Sequence, residues 1–423
     1  MHSYNQFHAA GHGTFFSGQL SLTRNGEVDF LWVYDCGSDK SLIMNTLVQD
    51  LRTHAKTDLI NMLCLSHFDD DHVNGLLELL RVFRVDRLFL PYLPFKRRLQ
   101  IACEIDPTKA VGMDTLLFTL DPSGFLASSG FADRVKSIVL VQGGRKSRGN
   151  PSTDIDDLPM GPPHNEEVPS ENPVDATQVG GEYAPLLVGG KRPWVAHVSH
   201  ATPITWRQTL WEFVFYNKEL KNGRAPAHGV SLATVQAQVK VLLGTVNLMK
   251  RPTLATAKWR DDLRDCYVHN FGTASKRKND ISLCVLSRPL AMEKIAQCQL
   301  FGQPFAGLGC AHTLVPVTDE SKSGLLLTGD ITINVKRLVA MKAHFNSARW
   351  NDIHVMQIPH HGSKDSWKTG CSGGCHHQYS VFCVPDVNPS GLRPHHSVVT
   401  DLAGRHPLYA NYSASVVYCF HDV

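Results

Sequence analysis

A chain of 423 residues with 43% hydrophobic and 19% charged residues has apolar side chains enough for a sizeable core. A net charge of +3 excludes a wholesale polyelectrolyte, so any basic surface for nucleic acid must be local. Eleven cysteines, an odd number scattered through apolar runs such as those around Cys64, Cys284 and Cys383, fit reduced thiols better than a disulfide framework. The first residues lack a basic and then apolar leader pattern, and no apolar run approaches the ~18 residues that span a bilayer. The expectation is a soluble, cytoplasmic protein without a membrane role.

From the start of the chain, Gly13 to Leu22 reads as a strand, Asn25-Gly26 as a hairpin turn and Val28 to Tyr34 as its partner strand. That strand ends in Asp35-Cys36-Gly37-Ser38. Ser41 to Thr53 reads as a helix and Leu59 to Ser66 as a buried strand. This strand runs straight into His67-Phe68-Asp69-Asp70-Asp71-His72. Val73, Leu76, Leu77, Leu80 and Phe83 then follow with the spacing of one helix face, predicting a helix from Val73 to about Val85.

Two histidines and three aspartates between a strand and a helix are costly to leave unpaired beside a core. His67, Asp69 and Asp71 alternate, so two-residue steps aim them at a common point. The reading is a metal-binding loop. A solvated acidic turn is the simpler alternative, but it does not explain why a hydrophobic strand feeds directly into the cluster.

Downstream, Arg87 to Pro91 is a short strand, and signals up to Val141 are mixed. Residues 143–193 hold 8 Pro and 8 Gly with many acids and read as a flexible insertion. Trp211 to Tyr216 is a strand. Two helical patterns, about Ser231 to Met249 and Leu254 to Val268, make 217–278 a helical-hairpin insertion that ends near a basic run, Lys276-Arg277-Lys278. Ile281 to Ser287 is a strand preceded by Asn279-Asp280. Gly324 to Thr328 is a strand ending in Gly329-Asp330. Ile353 to Ile358 ends in Pro359-His360-His361-Gly362-Ser363-Lys364, and Tyr379 to Val384 is followed by a loop to Arg393-Pro394-His395-His396. Cys371, Cys375, His376, His377 and Cys383 form a weaker candidate for a structural zinc site, at unusual spacing.

Three apolar strands thus end in ligand-type side chains, and a fourth loop offers His395. Taken in order, Ser66–Leu76 (S-H-F-D-D-D-H-V-N-G-L), Asn279–Leu283 (N-D-I-S-L), Leu326–Asp330 (L-L-T-G-D), Pro359–Ser363 (P-H-H-G-S) and Arg393–His396 (R-P-H-H) resemble the metallo-β-lactamase superfamily. The likeness is to the soluble domain of ComEC-type competence proteins. The membrane channel of those proteins has no counterpart here.

The resemblance implies a single α/β domain over residues 1–423, folded as a four-layer αββα sandwich, and hydrolysis assisted by two divalent ions (Zn²⁺, Mn²⁺ or Mg²⁺). It implies that His67 and Asp69 hold one metal, that Asp71 and His72 hold the other, that Asp330 bridges them and that His395 is the last ligand. His360 is a further ligand candidate, and whether His360 or His361 ligates stays open. Asp35 and Asn279 would support the ligands by hydrogen bonding. His361, Ser363 and Lys364 would hold substrate phosphate, with Asp71, Asp330 and His361 as catalytic groups. Asp69 stands where the family has a histidine, and the third-motif histidine lacks a clear counterpart, so one metal shell is expected to be oxygen-rich.

The function expected is a phosphodiesterase or nuclease acting on DNA or RNA. A partner from a multi-gene DNA-processing or defence system is also expected. A lactone, thioester or amide hydrolase is the alternative enzyme. A metal-binding, non-catalytic subunit is the alternative from a different class.

Overall fold

The computed structural model describes residues 1–23, 26–105, 112–144, 152–158, 181–187, 190–218, 226, 229–244, 254–272, 281–292, 294–298, 311–386 and 393–423. The first sheet begins with β1 (His2–Phe7), β2 (Phe15–Ser21), β3 (Phe30–Cys36), β4 (Leu59–Cys64), β5 (Arg84–Pro91) and β6 (Val135–Gln142). β7 (Thr153–Asp154), β9 (Ile204–Trp206), β10 (Trp211–Tyr216) and β11 (Cys284–Pro289) belong to the second. β8 (Trp194–Ser199), β12 (Ile295–Gln297), β13 (Ala311–Leu314) and β18 (Ala414–Asp422) complete the first, and β14 (Gly324–Leu327), β15 (Ile353–Gln357), β16 (Tyr379–Cys383) and β17 (Pro407–Ala410) the second.

The first sheet runs β12-β18-β1-β2-β3-β4-β5-β6-β8, with β13 also on β18, and the second runs β17-β16-β15-β14-β11-β10-β9-β7. The helices are α1 (Leu42–Ala55), α2 (Asp70–Val73), α3 (Leu76–Val82), α4 (Phe95–Glu104), α5 (Gly112–Leu120), α6 (Pro122–Ser128), α7 (Leu232–Gly244), α8 (Leu254–Phe271), α9 (Val335–Asp352) and α10 (His396–Asp401).

Strand alternation explains the layers. Phe30, Trp32 and Tyr34 of β3 point into one core, and Leu31 and Val33 into another. The first core lies between the sheets, where Phe89 stacks on Phe215 at 5.0 Å and Trp32 meets Phe213 at 5.2 Å. The second joins the outer face of the first sheet to α1, α3, α4 and α5. A third joins the outer face of the second sheet to Leu338, Met341 and Phe345 of α9. The order is therefore helices, sheet, sheet, helices, the αββα sandwich. Burial on both faces also accounts for the near-continuous apolar runs of β3 and β4.

The helical hairpin α7–α8 packs Val235, Val239, Trp259 and Leu263 into the same outer core as α4. Most of 143–193 lies outside the described residues. Its described flanks are built into the fold, with β7 paired to β9 and Ile155, Leu158, Leu186 and Leu187 buried. Asn25 of the predicted turn lies outside the described residues, but β2 and β3 do pair antiparallel.

One expected helix divides in two. The pattern from Val73 to Val85 becomes α2 and α3, broken at Asn74-Gly75, and Arg84 already belongs to β5. Asn74 hydrogen-bonds both the N–H and the carbonyl of Ser38, and Gly75 N–H donates to Cys36 O at 2.8 Å. A Cβ on Gly75 would lie 2.7 Å from that oxygen, so docking on the 36–38 loop interrupts the helix. Cys298 and Cys419 are paired as a disulfide, contrary to the expectation of reduced thiols throughout. No helix among the described residues is long and apolar enough to cross a membrane.

Candidate metal centre

The loop after β4 meets the loops after β14 and β15 because these strand ends open on one side of the sandwich. Asp330 follows Gly329, whose φ is +54° and whose Cβ, were there one, would lie 2.7 Å from Ser66 Cβ. Only glycine lets the two loops approach so closely. His360, His361 and Gly362 all have positive φ, at 50°, 58° and 78°. Such a run is costly for side-chain-bearing residues and is held here by His360 N–H to Gly329 O at 3.1 Å and Ser363 N–H to His360 O at 3.0 Å. The tight coil points both imidazoles back toward the first sheet.

Asp330 is the centre. Its Oδ2 lies 3.6 Å from His67 Nε2 and 3.5 Å from His360 Nε2, while its Oδ1 lies 3.3 Å from His72 Nε2. Asp69 Oδ2 stands 3.9 Å from His67 Nε2. On the other side Asp71 Oδ2 lies 3.8 Å from His72 Nε2 and 3.1 Å from His361 Nε2. The six other side chains fall into two sets about this one carboxylate: His67 and His360 at Oδ2 with Asp69 beside His67, and His72 at Oδ1 with Asp71 beside it and His361 beyond.

The outward ring nitrogens are held. His72 Nδ1 donates to Asp35 Oδ2 at 2.8 Å, and His361 Nδ1 donates to Cys383 O at 2.7 Å. Asp35 also accepts from Ser66 N–H at 2.6 Å and from Ser66 Oγ at 2.7 Å. Ser66 Oγ, its proton so placed, accepts from His67 Nδ1 at 2.8 Å. His360 Nδ1 pairs with Ser366 Oγ at 2.9 Å. With Nδ1 protonated, each neutral imidazole turns an Nε2 lone pair inward, toward carboxylate oxygens. Lone pairs facing carboxylates require a proton or a cation between them. His67 Nε2, His72 Nε2 and Asp330 Oδ1 are buried without hydrogen-bond partners, so the donor set fits metal ions.

The electrostatics give the same demand. Burial alone would raise the Asp330 carboxyl, but His72, His67 and His360 outweigh it and hold it well below the usual range. For His72 burial lowers basicity, yet Asp330, Asp35 and Asp71 push it well above the ordinary value. Asp71 is held low against its own burial by His72 and His361. Desolvation takes His360 down to about 4.

Other expected residues sit elsewhere. His395 is not brought into the cluster; its side chain caps α10, accepting from Ser397 N–H at 3.3 Å. Ser363 is buried and its hydroxyl accepts from Asp365 N–H at 3.3 Å, closing a turn. Lys364 is exposed. Asn279 and Lys276-Arg277-Lys278 lie outside the described residues. The same motif does deliver Ser282, whose Oγ accepts from Asp330 N–H at 2.9 Å and lies 3.5 Å from His67 Nδ1. Cys371 and Cys375 direct their thiols to backbone carbonyls, at 3.9 and 3.5 Å, and do not meet as ligands.

Two residues given no role from the sequence lie at the mouth, His12 and the Arg393 of the R-P-H-H motif. His12 Nε2 is 4.0 Å from Asp71 Oδ2, and its ring meets that of His361 edge-on at 4.4 Å. Arg393 Nη1 donates to His12 Nε2 at 2.7 Å. Desolvation and the neighbouring His361 hold His12 at about 4, so it accepts from Arg393 as a neutral ring. For His12 the available signal was a histidine between two glycines, Gly11-His12-Gly13, beside a strand.

No family model matches the chain, and no curated protein does. Among solved structures the chain is similar to a long-form RNase Z from yeast, with 9% identity and a TM-score of 0.28 over 84% of this chain and 32% of that one. The chain thus spans about a third of that protein's length. The layering and the site described above rest on the chain's own sheets, cores and side chains.

Proposed function

We propose that the protein is a two-metal hydrolase of phosphodiesters, with DNA or RNA as the substrate class. The observation that carries this is the division of ligand-type atoms about Asp330. Its Oδ2 faces His67 and His360, and its Oδ1 faces His72. His67, Asp69 and His360 would hold one ion, His72, Asp71 and His361 the other, and Asp330 would serve both. His360 then fills the place of the missing third-motif histidine, and both members of the His-His pair ligate.

Each set offers two imidazoles with carboxylates, a mixture that suits Zn²⁺ or Mn²⁺ better than Mg²⁺. This revises the oxygen-rich expectation. When bound, two such ions acidify a water and offset the charge that builds on the oxygens of a phosphoryl group.

The chain's own residues do the rest. Asp35 and Cys383 O fix ring orientation. Their hold on Nδ1 keeps Nε2 available to a metal. Asp71, partly exposed, marks the open side of the site. Arg393, presented there by His12, supplies a planar cation for a non-bridging phosphate oxygen. It replaces Ser363 and Lys364 in that role. A lactone or lactam site would be lined by apolar groups instead.

The test compares hydrolysis of bis-p-nitrophenyl phosphate, DNA and RNA with that of nitrocefin and acyl lactones, by apo-protein reloaded with Zn²⁺ or Mn²⁺. Phosphodiester cleavage lost in Asp330→Ala supports the reading. Turnover of lactones or β-lactams, with no phosphodiester cleaved under either metal, overturns it.

A further inference from the structure

A second group of metal-ligand atoms lies at the far edge of the first sheet, where β12, β18 and β1 meet. His2 and His421 are directly paired in the ladder between β1 and β18. Cys419 precedes His421 by two residues, so strand alternation puts it on the same face. Cys298, just past β12, donates its N–H to Cys419 O at 3.3 Å, which brings its side chain alongside. His2 Nε2 stands 3.4 Å from Cys419 Sγ, and His421 Nδ1 stands 4.0 Å from Cys298 Sγ. His2 Nε2 and the two sulfurs all lie within 4.8 Å of one another. Both cysteines are buried, packed with Tyr4 and Val417, while the two imidazoles are half-buried at the rim.

A disulfide needs only its two sulfurs and a fitting backbone. It does not call for an imidazole beside each sulfur. Two thiolates and two imidazoles from β1, β18 and the end of β12, by contrast, are a complete four-ligand set for zinc. We propose that Cys298, Cys419, His2 and His421 form a structural Cys₂His₂ zinc site in the reduced protein, and that the disulfide is the oxidised state of the same residues.

The two states interconvert in balance. A dithiol reductant gives two electrons and two protons to the sulfur–sulfur bond, yielding two thiols and its own disulfide. Zinc then binds with loss of the two thiol protons. In reverse, a disulfide oxidant takes two electrons from the thiolates and the ion leaves. The bound form staples β1, β18 and β12 together, closing a loop of 121 residues between the cysteines.

Cobalt distinguishes this site from the other, because only thiolate ligands give an intense sulfur-to-cobalt charge-transfer absorption and the Asp330 centre holds no sulfur. The experiment adds Co²⁺ to full-length apo-protein reduced with a phosphine, then oxidises it with glutathione disulfide. The expected result is a charge-transfer band that disappears on oxidation, is competed away by Zn²⁺ and is missing from the Cys298→Ser/Cys419→Ser variant. His67→Ala, which removes a ligand of the other centre, keeps the band. Reduced wild-type protein that shows no band overturns the proposal, as does a band that survives in the double-serine variant. If the variant does not fold, the wild-type band and its loss on oxidation still decide, and no charge-transfer band after full reduction means a disulfide only.

Discussion

Replacing Asp35 by asparagine tests how the second set of ligands is held. The carboxylate is fully buried and accepts three hydrogen bonds, from Ser66 N–H, Ser66 Oγ and His72 Nδ1. Its φ of +56° is one that asparagine tolerates as well as aspartate does, so the backbone need not move. The amide oxygen still accepts from Ser66 N–H. The amide nitrogen, however, places N–H groups against His72 Nδ1–H and the serine proton. The serine hydroxyl can rotate. The imidazole escapes the clash only by moving its proton to Nε2, which blocks the lone pair meant for the metal.

Loss of the charge-assisted bond to His72 costs about 1.5–3 kcal/mol of stability. Supporting groups of this kind typically change metal affinity by about 10–100-fold, which equals about 1.4–2.8 kcal/mol. Competition against a fluorescent chelator measures the affinity, and nitrogen-15 NMR of the imidazoles reports the tautomer. Unchanged affinity, with His72 still protonated at Nδ1, would refute the argument.

Further outcomes are expected elsewhere. His67→Ala should lower bound metal and abolish hydrolysis while the far-ultraviolet circular dichroism stays native, because His67 lies beyond the end of β4; elemental analysis checks it. Arg393→Ala should raise KM for a phosphodiester at least tenfold with bound metal unchanged, and lysine should restore only part, since it lacks the planar fork. Glu212 is buried and joined to Arg288 and Arg349, each at 2.7 Å, so Glu212→Ala should cost about 3–5 kcal/mol in urea unfolding. Burial would raise its carboxyl, but the hydrogen bonds and charges of Arg349 and Arg288 bring it below the ordinary 4.5. With the folded value depressed, its contribution is complete above pH 4.5 and is lost as pH falls through the lower folded value; urea melts from pH 6 to 3 should show a decline smaller in Glu212→Ala.

The elements that could be read in advance were those governed by local pattern. β3, β4, β10, β14 and β15 are apolar runs with clear ends, and the charged clusters at three of those ends announced the site. What stayed hidden depends on contacts distant in sequence. The break at Gly75 exists because the loop at Cys36 and Ser38 docks there. β1 carries polar residues, Ser3, Asn5 and Gln6, that are buried, so its alternation gave a weak strand signal. Spacing alone offered no choice between His360 and His361, because the positive φ angles that aim both inward are set by the docked loop. His395 was expected as the last ligand from its R-P-H-H motif but spends its ring on a helix cap. His12 and Arg393 are 381 positions apart and become neighbours only when the sandwich closes.

Two metal sites divided by Asp330 would show directly in diffraction. Anomalous diffraction from crystals of the metal-loaded protein, collected at the absorption edge of manganese or zinc, tests for both. Two peaks are expected at this end of the sandwich, one contacted by His67, Asp69 and His360, the other by His72, Asp71 and His361, with Asp330 between them. A single peak there, or peaks ligated only by residues outside these sets, would contradict the two-site assignment.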